Sequence, residues 1–192
     1  MNYQDYIWDL GGTLLDNYET STAAFVHTLQ DFGLTASHDE VYKALKVSTD
    51  YAVRQFAPGN KEFLKAYKAN EAKELEHPIL FEGASELLAQ IIQQGGRNFL
   101  ISHRDDQVLE ILQKTQISAY FTEVVTATNG FKRKPDPESM LYLKDKYQIE
   151  SGLVIGDRPI DIEAGQAAGF SCYLFDNMRN LEEFVDIELE KE

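Results

Sequence analysis

Short apolar runs bounded by glycine, proline or acidic residues alternate, over much of this chain, with stretches whose apolar positions recur every three or four residues. The first pattern predicts buried strands and the second amphipathic helices. Tyr6-Ile7-Trp8 is the opening strand, and it runs into Asp9 and the glycine pair Gly11-Gly12. From His77-Pro78 onward the alternation is regular. A helix is predicted over residues 83–94, with Leu87, Leu88, Ile91 and Ile92 on its apolar face and Gly95-Gly96 ending it. Strands follow at 98–101, ending at Ser102, and at 124–127, with a helix over 106–114 between them. A helix over 138–147 leads to a strand at 153–155 that ends in Gly156-Asp157. The small-residue stretch 164–169 predicts a helix able to lie close against a sheet, and 171–175 is a fifth strand. An acidic helix with Leu181, Phe184 and Val185 closes the chain.

The stretch 17–76 is different. Ala23-Ala24-Phe25, Leu29 and Phe32 stand at helical spacing before Gly33, a candidate helix cap. Helical patterns recur at Val41-Tyr42 with Ala44-Leu45, and at Tyr51-Ala52-Val53 with Phe56. After the break at Pro58-Gly59-Asn60, a last helix runs from Lys61 towards Glu76, carrying Phe63, Leu64, Tyr67 and Leu75. The expectation is an all-helical domain, 17–76, inserted into a discontinuous core made of 1–16 and 77–192.

Alternating strands and helices imply βαβ units, a mostly parallel sheet and right-handed crossovers that place helices on both faces. In such sheets ligands bind at the carboxyl ends of the strands. Asp9, Ser102 and Asp157 each end a strand-like run, and Lys134 follows another in the loop Lys132-Arg133-Lys134-Pro135. The topology therefore brings two carboxylates, a hydroxyl and an ammonium group to one rim. Each also has a plainer role. Asp9 before a glycine turn is ordinary turn chemistry. Asp157 and Asp161 suit the start of a helix beside Pro159, Ser102 suits a helix cap, and Lys134 suits a solvated loop. Against the helix-start reading, like charges four apart on one helix face repel, and Asp9 adds to the repulsion. A cation resolves that conflict, and oxygen-only ligands suit Mg²⁺.

Composition narrows the classes. A hydrophobic fraction of 43% with 26% charged residues over 192 residues is that of a globular chain long enough to bury a core. A formal net charge of −14 argues against nucleic acid as partner. Cys172 is the single cysteine, so internal disulfides and cysteine-rich zinc sites are excluded. No run is apolar for long enough to span a bilayer, and Met1-Asn2-Tyr3-Gln4-Asp5 is not the start of a signal peptide. The expected location is the cytoplasm, with neither membrane nor nucleic acid as partner.

Four segments carry a family resemblance: Asp9-Leu10-Gly11-Gly12-Thr13-Leu14, Ser102, Lys134-Pro135, and Gly156-Asp157 through Asp161. In this order and spacing the chain resembles the haloacid dehalogenase superfamily, specifically its phosphatase-like members with an inserted helical cap. The resemblance implies a three-layer α/β/α Rossmann-like core. It implies that Asp9 is a nucleophile forming an aspartyl-phosphate, that Ser102 hydrogen-bonds the phosphoryl group and that Lys134 neutralises charge. It also implies Mg²⁺ held by Asp9, Asp157 and the backbone carbonyl of Gly11, with Asp161 supporting the metal site. The substrate is then a small phosphorylated metabolite, met by a helical lid. Gly12, Thr13, His103, Arg104 and Arg158 are candidate substrate contacts, the two arginines for a second anionic group.

One position departs from the family pattern. Phosphatases of this superfamily carry a second aspartate two residues after the nucleophile, which protonates the leaving alcohol and later activates water; here that residue is Gly11. General acid–base help of this kind is worth about 10²–10⁴ in rate. Asp16 belongs to the cap junction and is no replacement. Three readings follow: a phosphatase for acyl or aryl phosphates, or one with His103 as a displaced acid titrating near neutral pH; a phosphonatase-like enzyme using Lys43, Lys46, Lys65 or Lys68 as a Schiff base; or a phospho-ligand-binding regulatory protein without turnover. Halide removal is disfavoured, because Asp157 and Asp161 look built for a metal that such chemistry does not use.

Overall fold

The computed structural model describes residues 3–74 and 76–189, and Leu75 of the predicted fourth cap helix lies outside them. The chain divides into two compact units, one formed by Met1–Leu15 with Leu80–Glu192 and the other by Asp16–Ile79. The first unit is built on five strands: β1 (Asp5–Trp8), β2 (Arg97–Ile101), β3 (Phe121–Val125), β4 (Gly152–Gly156) and β5 (Ser171–Leu174). They form one parallel sheet in the order β3-β2-β1-β4-β5, which leaves β1 central. Ile7 is in register with Phe99 on one side and Val154 on the other.

Strand alternation sends successive side chains to opposite faces, and each face is covered. Tyr6, Trp8, Leu100, Leu153 and Ile155 pack under helices α5 (Ala84–Gln93), α6 (Gln107–Lys114) and α9 (Met178–Leu189). Ile7, Phe99, Ile101 and Val154 pack under α7 (Glu138–Tyr147) and α8 (Pro159–Ala167). The result is the three-layer α/β architecture. Asn98, fully buried in β2, is satisfied by donating to the carbonyls of Leu88 and Tyr120 and accepting from Trp8 Nε1–H at 2.9 Å.

Two elements depart from the sequence expectation. Strand β3 lies at 121–125 rather than 124–127. It is an edge strand whose Glu123 reaches out to Tyr142 and Lys146, so its first half lacks an apolar signature. Thr126 ends it by turning, its amide donating to Asn129 Oδ1 and its hydroxyl accepting from the Thr128 amide. Helix α8 begins five residues earlier than expected, with Pro159 at its first position. Its small residues do lie close to the sheet: a Cβ on Gly165 would stand 2.5 Å from Cys172 Sγ.

The second unit holds α1 (Asn17–Asp31), α2 (His38–Val47), α3 (Thr49–Phe56) and α4 (Phe63–Glu74) around its own core of Phe25, Leu29, Val41, Leu45, Phe63 and Tyr67. Asp16 caps α1 by accepting from the Glu19 amide at 3.0 Å. The same helix ends as the glycine predicts: Gly33 takes φ +68°, and the Leu34 and Gly33 amides donate to the carbonyls of Leu29 and Gln30. Ser37 and Glu40 form a reciprocal capping box at the start of α2. Among the described residues no helix is long and apolar enough to cross a membrane.

Candidate active site

Four strand-to-loop junctions of the first unit meet at the carboxyl edge of the sheet. At the first, the Asp9 amide extends the β1–β4 ladder by donating to the Ile155 carbonyl at 2.9 Å. The chain then folds back sharply: the amides of Leu14 and Leu15 both donate to the Leu10 carbonyl, and Gly12 N–H donates to Leu15 O. Gly12 needs to be glycine for two reasons. Its φ is +83°, and a Cβ there would stand 2.4 Å from Asp157 Oδ2. Thr13, fully buried, directs its hydroxyl to Asp157 Oδ1 at 3.4 Å.

At the second junction the Ser102 amide donates to the Val125 carbonyl, and buried Ser102 Oγ accepts from the Arg104 amide at 3.3 Å. Ser102 therefore shapes the turn after β2 and does not cap α6, whose first residue is Gln107. The third junction brings Lys134 inward. Its side chain is 1% exposed, and its Nζ stands 2.6 Å from Asp9 Oδ1, 2.6 Å from Asp161 Oδ1 and 3.3 Å from the Ile101 carbonyl. The solvated-loop role is thus excluded for Lys134. Its approach to Asp161 is an ion pair without hydrogen-bond alignment, leaving Asp161 Oδ1 buried with no donor in line.

The fourth junction carries Asp157 and Asp161. They do not share a helix face as the four-residue spacing suggested. Asp157 lies in the bend before α8, whereas fully buried Asp161 is in the first turn of that helix, accepting from the Arg158 amide through Oδ2 at 3.2 Å. Their repulsion is a tertiary one. Gly156 makes room for the arrangement, since a Cβ on it would meet Asp161 Cβ at 2.4 Å.

Asp9, Asp157 and Asp161 each place a carboxylate oxygen within 4.8 Å of the others. Burial pushes the Asp9 carboxyl above its ordinary range, opposed by Lys134. Asp157 is raised to about 6, again chiefly by burial and then by the charge of Asp9. Three carboxylates thus share one buried ammonium group, and Arg158, half exposed, is the next cation at hand. Asp9 and Asp157 hold their protons more tightly than usual, chiefly because burial disfavours their charged forms and in addition because neighbouring carboxylates repel them. An all-oxygen donor set with excess negative charge fits a hard divalent cation such as Mg²⁺.

His103 corrects an expectation. Its Nε2 lies 2.9 Å from the Lys134 amide, which can only donate, so this nitrogen is an acceptor and the ring is neutral with its proton on Nδ1. Burial and the nearby charges of Lys134, Arg133 and Arg158 push it down to about 4. It does not titrate near neutral pH. Arg104 is half-buried, with its amide on Ser102 and its carbonyl accepting from Ala127; Arg158 Nε stands 4.0 Å from Asp161 Oδ2. Gly11 lies between the two site-facing positions Asp9 and Gly12 and bridges to Leu15. Sequence reasoning missed the Ile101 carbonyl on Lys134 and a cavity of about 120 Å³ lined by Ser102, His103, Thr126, Phe131 and Arg133. No sequence pattern marks either, because both depend on how separate loops stack.

Fold and cluster together define an α/β domain with an acidic cluster and one buried lysine at the carboxyl end of its middle strand. A family model described as haloacid dehalogenase-like hydrolase matches residues 6–175, and the chain belongs to that family. It is similar to a crystallised hydrolase from Streptococcus pneumoniae TIGR4, with 70% identity, a TM-score of 0.93, and coverage of 97% of this chain and 100% of that one. Among curated relatives, a phosphoglycolate phosphatase of Aliivibrio fischeri is 29% identical over 189 residues, covering 88% of this chain and 81% of its own. A pyrophosphatase PpaX of Oceanobacillus iheyensis is 26% identical over 179 residues, with coverage of 88% and 81%.

Proposed function

We propose that this hydrolase is a Mg²⁺-dependent phosphatase of a small phosphorylated metabolite, acting through an aspartyl-phosphate on Asp9. The observation that carries the reading is the buried Asp9 carboxylate, 2.6 Å from buried Lys134 and within 4.8 Å of two further carboxylates. A carboxylate attacks a phosphoryl group only where the repulsion between anions is offset. Lys134 supplies one counter-charge and orients Asp9 through the shared hydrogen bond. Ser102 Oγ, which accepts from the Arg104 amide, keeps its own proton for a phosphoryl oxygen. Asp9, Asp157 and the Gly11 carbonyl would hold the metal, with Asp161 supporting them. When bound, the cation offsets negative charge on the transferring group. Asp161 does a second task by pairing with Lys134 at 2.6 Å and helping to hold it beside Asp9.

The curated relatives named for phosphoglycolate and pyrophosphate hydrolysis support small, multiply anionic substrates. Arg104 and Arg158 flank Ser102 and Asp157 in sequence and suit a second anionic group on such a molecule. The helical unit Asp16–Ile79 has the place in the chain of a lid that selects substrate and excludes water. The test is Mg²⁺-dependent release of inorganic phosphate from a panel of phosphorylated metabolites, with hydroxylamine trapping of the phosphoenzyme. Turnover and a hydroxylamine-labile phosphate on wild type, both absent in Asp9→Asn, are expected. Undiminished turnover by Asp9→Asn would overturn the reading. Tight phosphate binding without any turnover would favour a regulatory binder.

A further inference from the structure

The inference rests on the aspartyl-phosphate reading and concerns what departs when Asp9 takes the phosphoryl group. An alkoxide needs a proton as its bond to phosphorus breaks, whereas a carboxylate, a phosphate or a nitrophenolate leaves without one. The question is which side chain near Asp9 can give that proton. Lys134 is committed to Asp9 and Asp161 at 2.6 Å each, and losing its proton would strip the cluster of its buried cation. The Thr13 hydroxyl is directed to Asp157. His103 is held as a neutral acceptor by the Lys134 amide, so its Nε2 has no proton to give. Arg158 carries a guanidinium, which donates hydrogen bonds but does not serve as a general acid. Asp16 belongs to the other unit, where it caps α1. Gly11 and Gly12, on the turn that leaves Asp9 and packs against Asp157, carry no side chain. Asp157 and Asp161 are the proposed metal ligand and its support. Among the described residues of the unit that carries Asp9, no group outside the cluster itself is placed as an acid for a leaving oxygen.

We infer that the substrates are phosphoanhydrides and acyl or aryl phosphates, and that phospho-Asp9 outlives its formation. In the first step a carboxylate oxygen of Asp9 bonds to phosphorus while the bond from phosphorus to the bridging oxygen breaks. Both electrons of that bond go with the bridging oxygen, which departs as a stable anion, and no proton moves. In the second step water adds to phosphorus, the bond to Asp9 breaks, the carboxylate is restored, and the surplus proton passes to solvent. Among the described residues of this unit no base outside the cluster is placed for that water, so this step is the slow one.

The experiment measures kcat/KM and pre-steady-state product release with saturating Mg²⁺ on acetyl phosphate, 4-nitrophenyl phosphate, phenyl phosphate and glycerol phosphate. Wild type is expected to release about one equivalent of nitrophenolate in a burst, and to lose roughly 10²–10⁴ in kcat/KM from the nitrophenyl to the glycerol ester. Gly11→Asp is expected to raise the glycerol phosphate rate at least about tenfold and to erase the burst, and Gly11→Asn to do neither. Nitrophenyl and glycerol esters cleaved within about tenfold of one another would overturn the inference, and so would an equal gain from Gly11→Asn. A phosphoenzyme trapped on Asp9 with flat dependence on the leaving group sinks this inference alone. No turnover of acetyl phosphate and no trapped label sinks the phosphatase reading, and this inference with it.

Discussion

Strand β1 has a buried aspartate at each end, and the two are treated in opposite ways. Asp5, at the amino end, faces Arg97 on β2, whose Nε and Nη2 donate to its two oxygens at 2.5 and 3.0 Å. Arg97 also donates to the Tyr147 carbonyl and stays 33% exposed, so the pair is closed and partly hydrated. Asp9, at the carboxyl end, shares one lysine with Asp161 and crowds against Asp157. A bidentate guanidinium satisfies a carboxylate, whereas one ammonium among three carboxylates does not. Burial alone therefore does not distinguish an aspartate closed into an ion pair from one left short of counter-charge; the balance of charge around it does.

The largest effect that tests this contrast is Asp9→Asn. Loss of the proposed nucleophile is expected to lower kcat at least about 10⁴-fold, read as phosphate release. The melting temperature is expected not to fall, because the amide removes a crowded charge and Lys134 keeps Asp161. Gly12→Ala comes next. Its methyl group would meet Asp157 Oδ2 at 2.4 Å on backbone at φ +83°. Displacing Asp157 is expected to cost about 10² in kcat/KM, and the strained backbone about 1–2 kcal/mol in denaturant unfolding. Asp5→Ala reverses the pattern. It is expected to cost about 2 kcal/mol of stability, less than a fully buried pair because Arg97 reaches water, and to leave kcat/KM within about twofold. Equal stability losses at the two ends of the strand would erase the contrast.

His103→Ala is a finer probe. It leaves the Lys134 amide without its acceptor, which is expected to cost about 1 kcal/mol and roughly tenfold in kcat with KM little changed. A shift of the pH–rate profile near neutrality in this variant would show that His103 titrates in catalysis after all. The smallest effect is a pH slope. Asp157 is raised to about 6 in the fold, against about 3.9 in an unfolded chain, so between these values the native state binds more protons. Stability in chelator is therefore expected to fall as pH rises through that window, with the loss complete above about 6. Asp9 is shifted the same way. Calorimetry across this range is expected to show a slope that Mg²⁺ flattens and Asp157→Asn reduces.

Much of this is legible in the sequence. The runs at 98–101 and 153–155 are interior strands, apolar on both faces, and the sequence marks interior strands strongly. The start of β3 was hidden because an edge strand with Glu123 outward mimics a polar loop. Topology alone places Asp9, Ser102, Lys134 and Asp157 at one rim, and three of the four lie in the cluster of carboxylates and buried lysine, with Ser102 on the turn after β2. The role of His103 was not legible. Its side chain is defined by a backbone amide 31 positions away, and no residue preference encodes such a bond.

By itself the sequence determined the order of strands and helices and most of their extent, the start of β3 and of α8 apart, and therefore which edge of the sheet carries the acidic and basic residues. Those outcomes follow from local periodicity and from the handedness of parallel connections. Only the tertiary structure decided how the charges are shared. Lys134 reaches Asp9 across 125 positions and also grips Asp161, while Asp157 is left with a long contact to Thr13 across 144. Charge sharing over a few ångströms depends on the angles at which four loops leave the sheet, and these are fixed by packing rather than by any pattern along the chain.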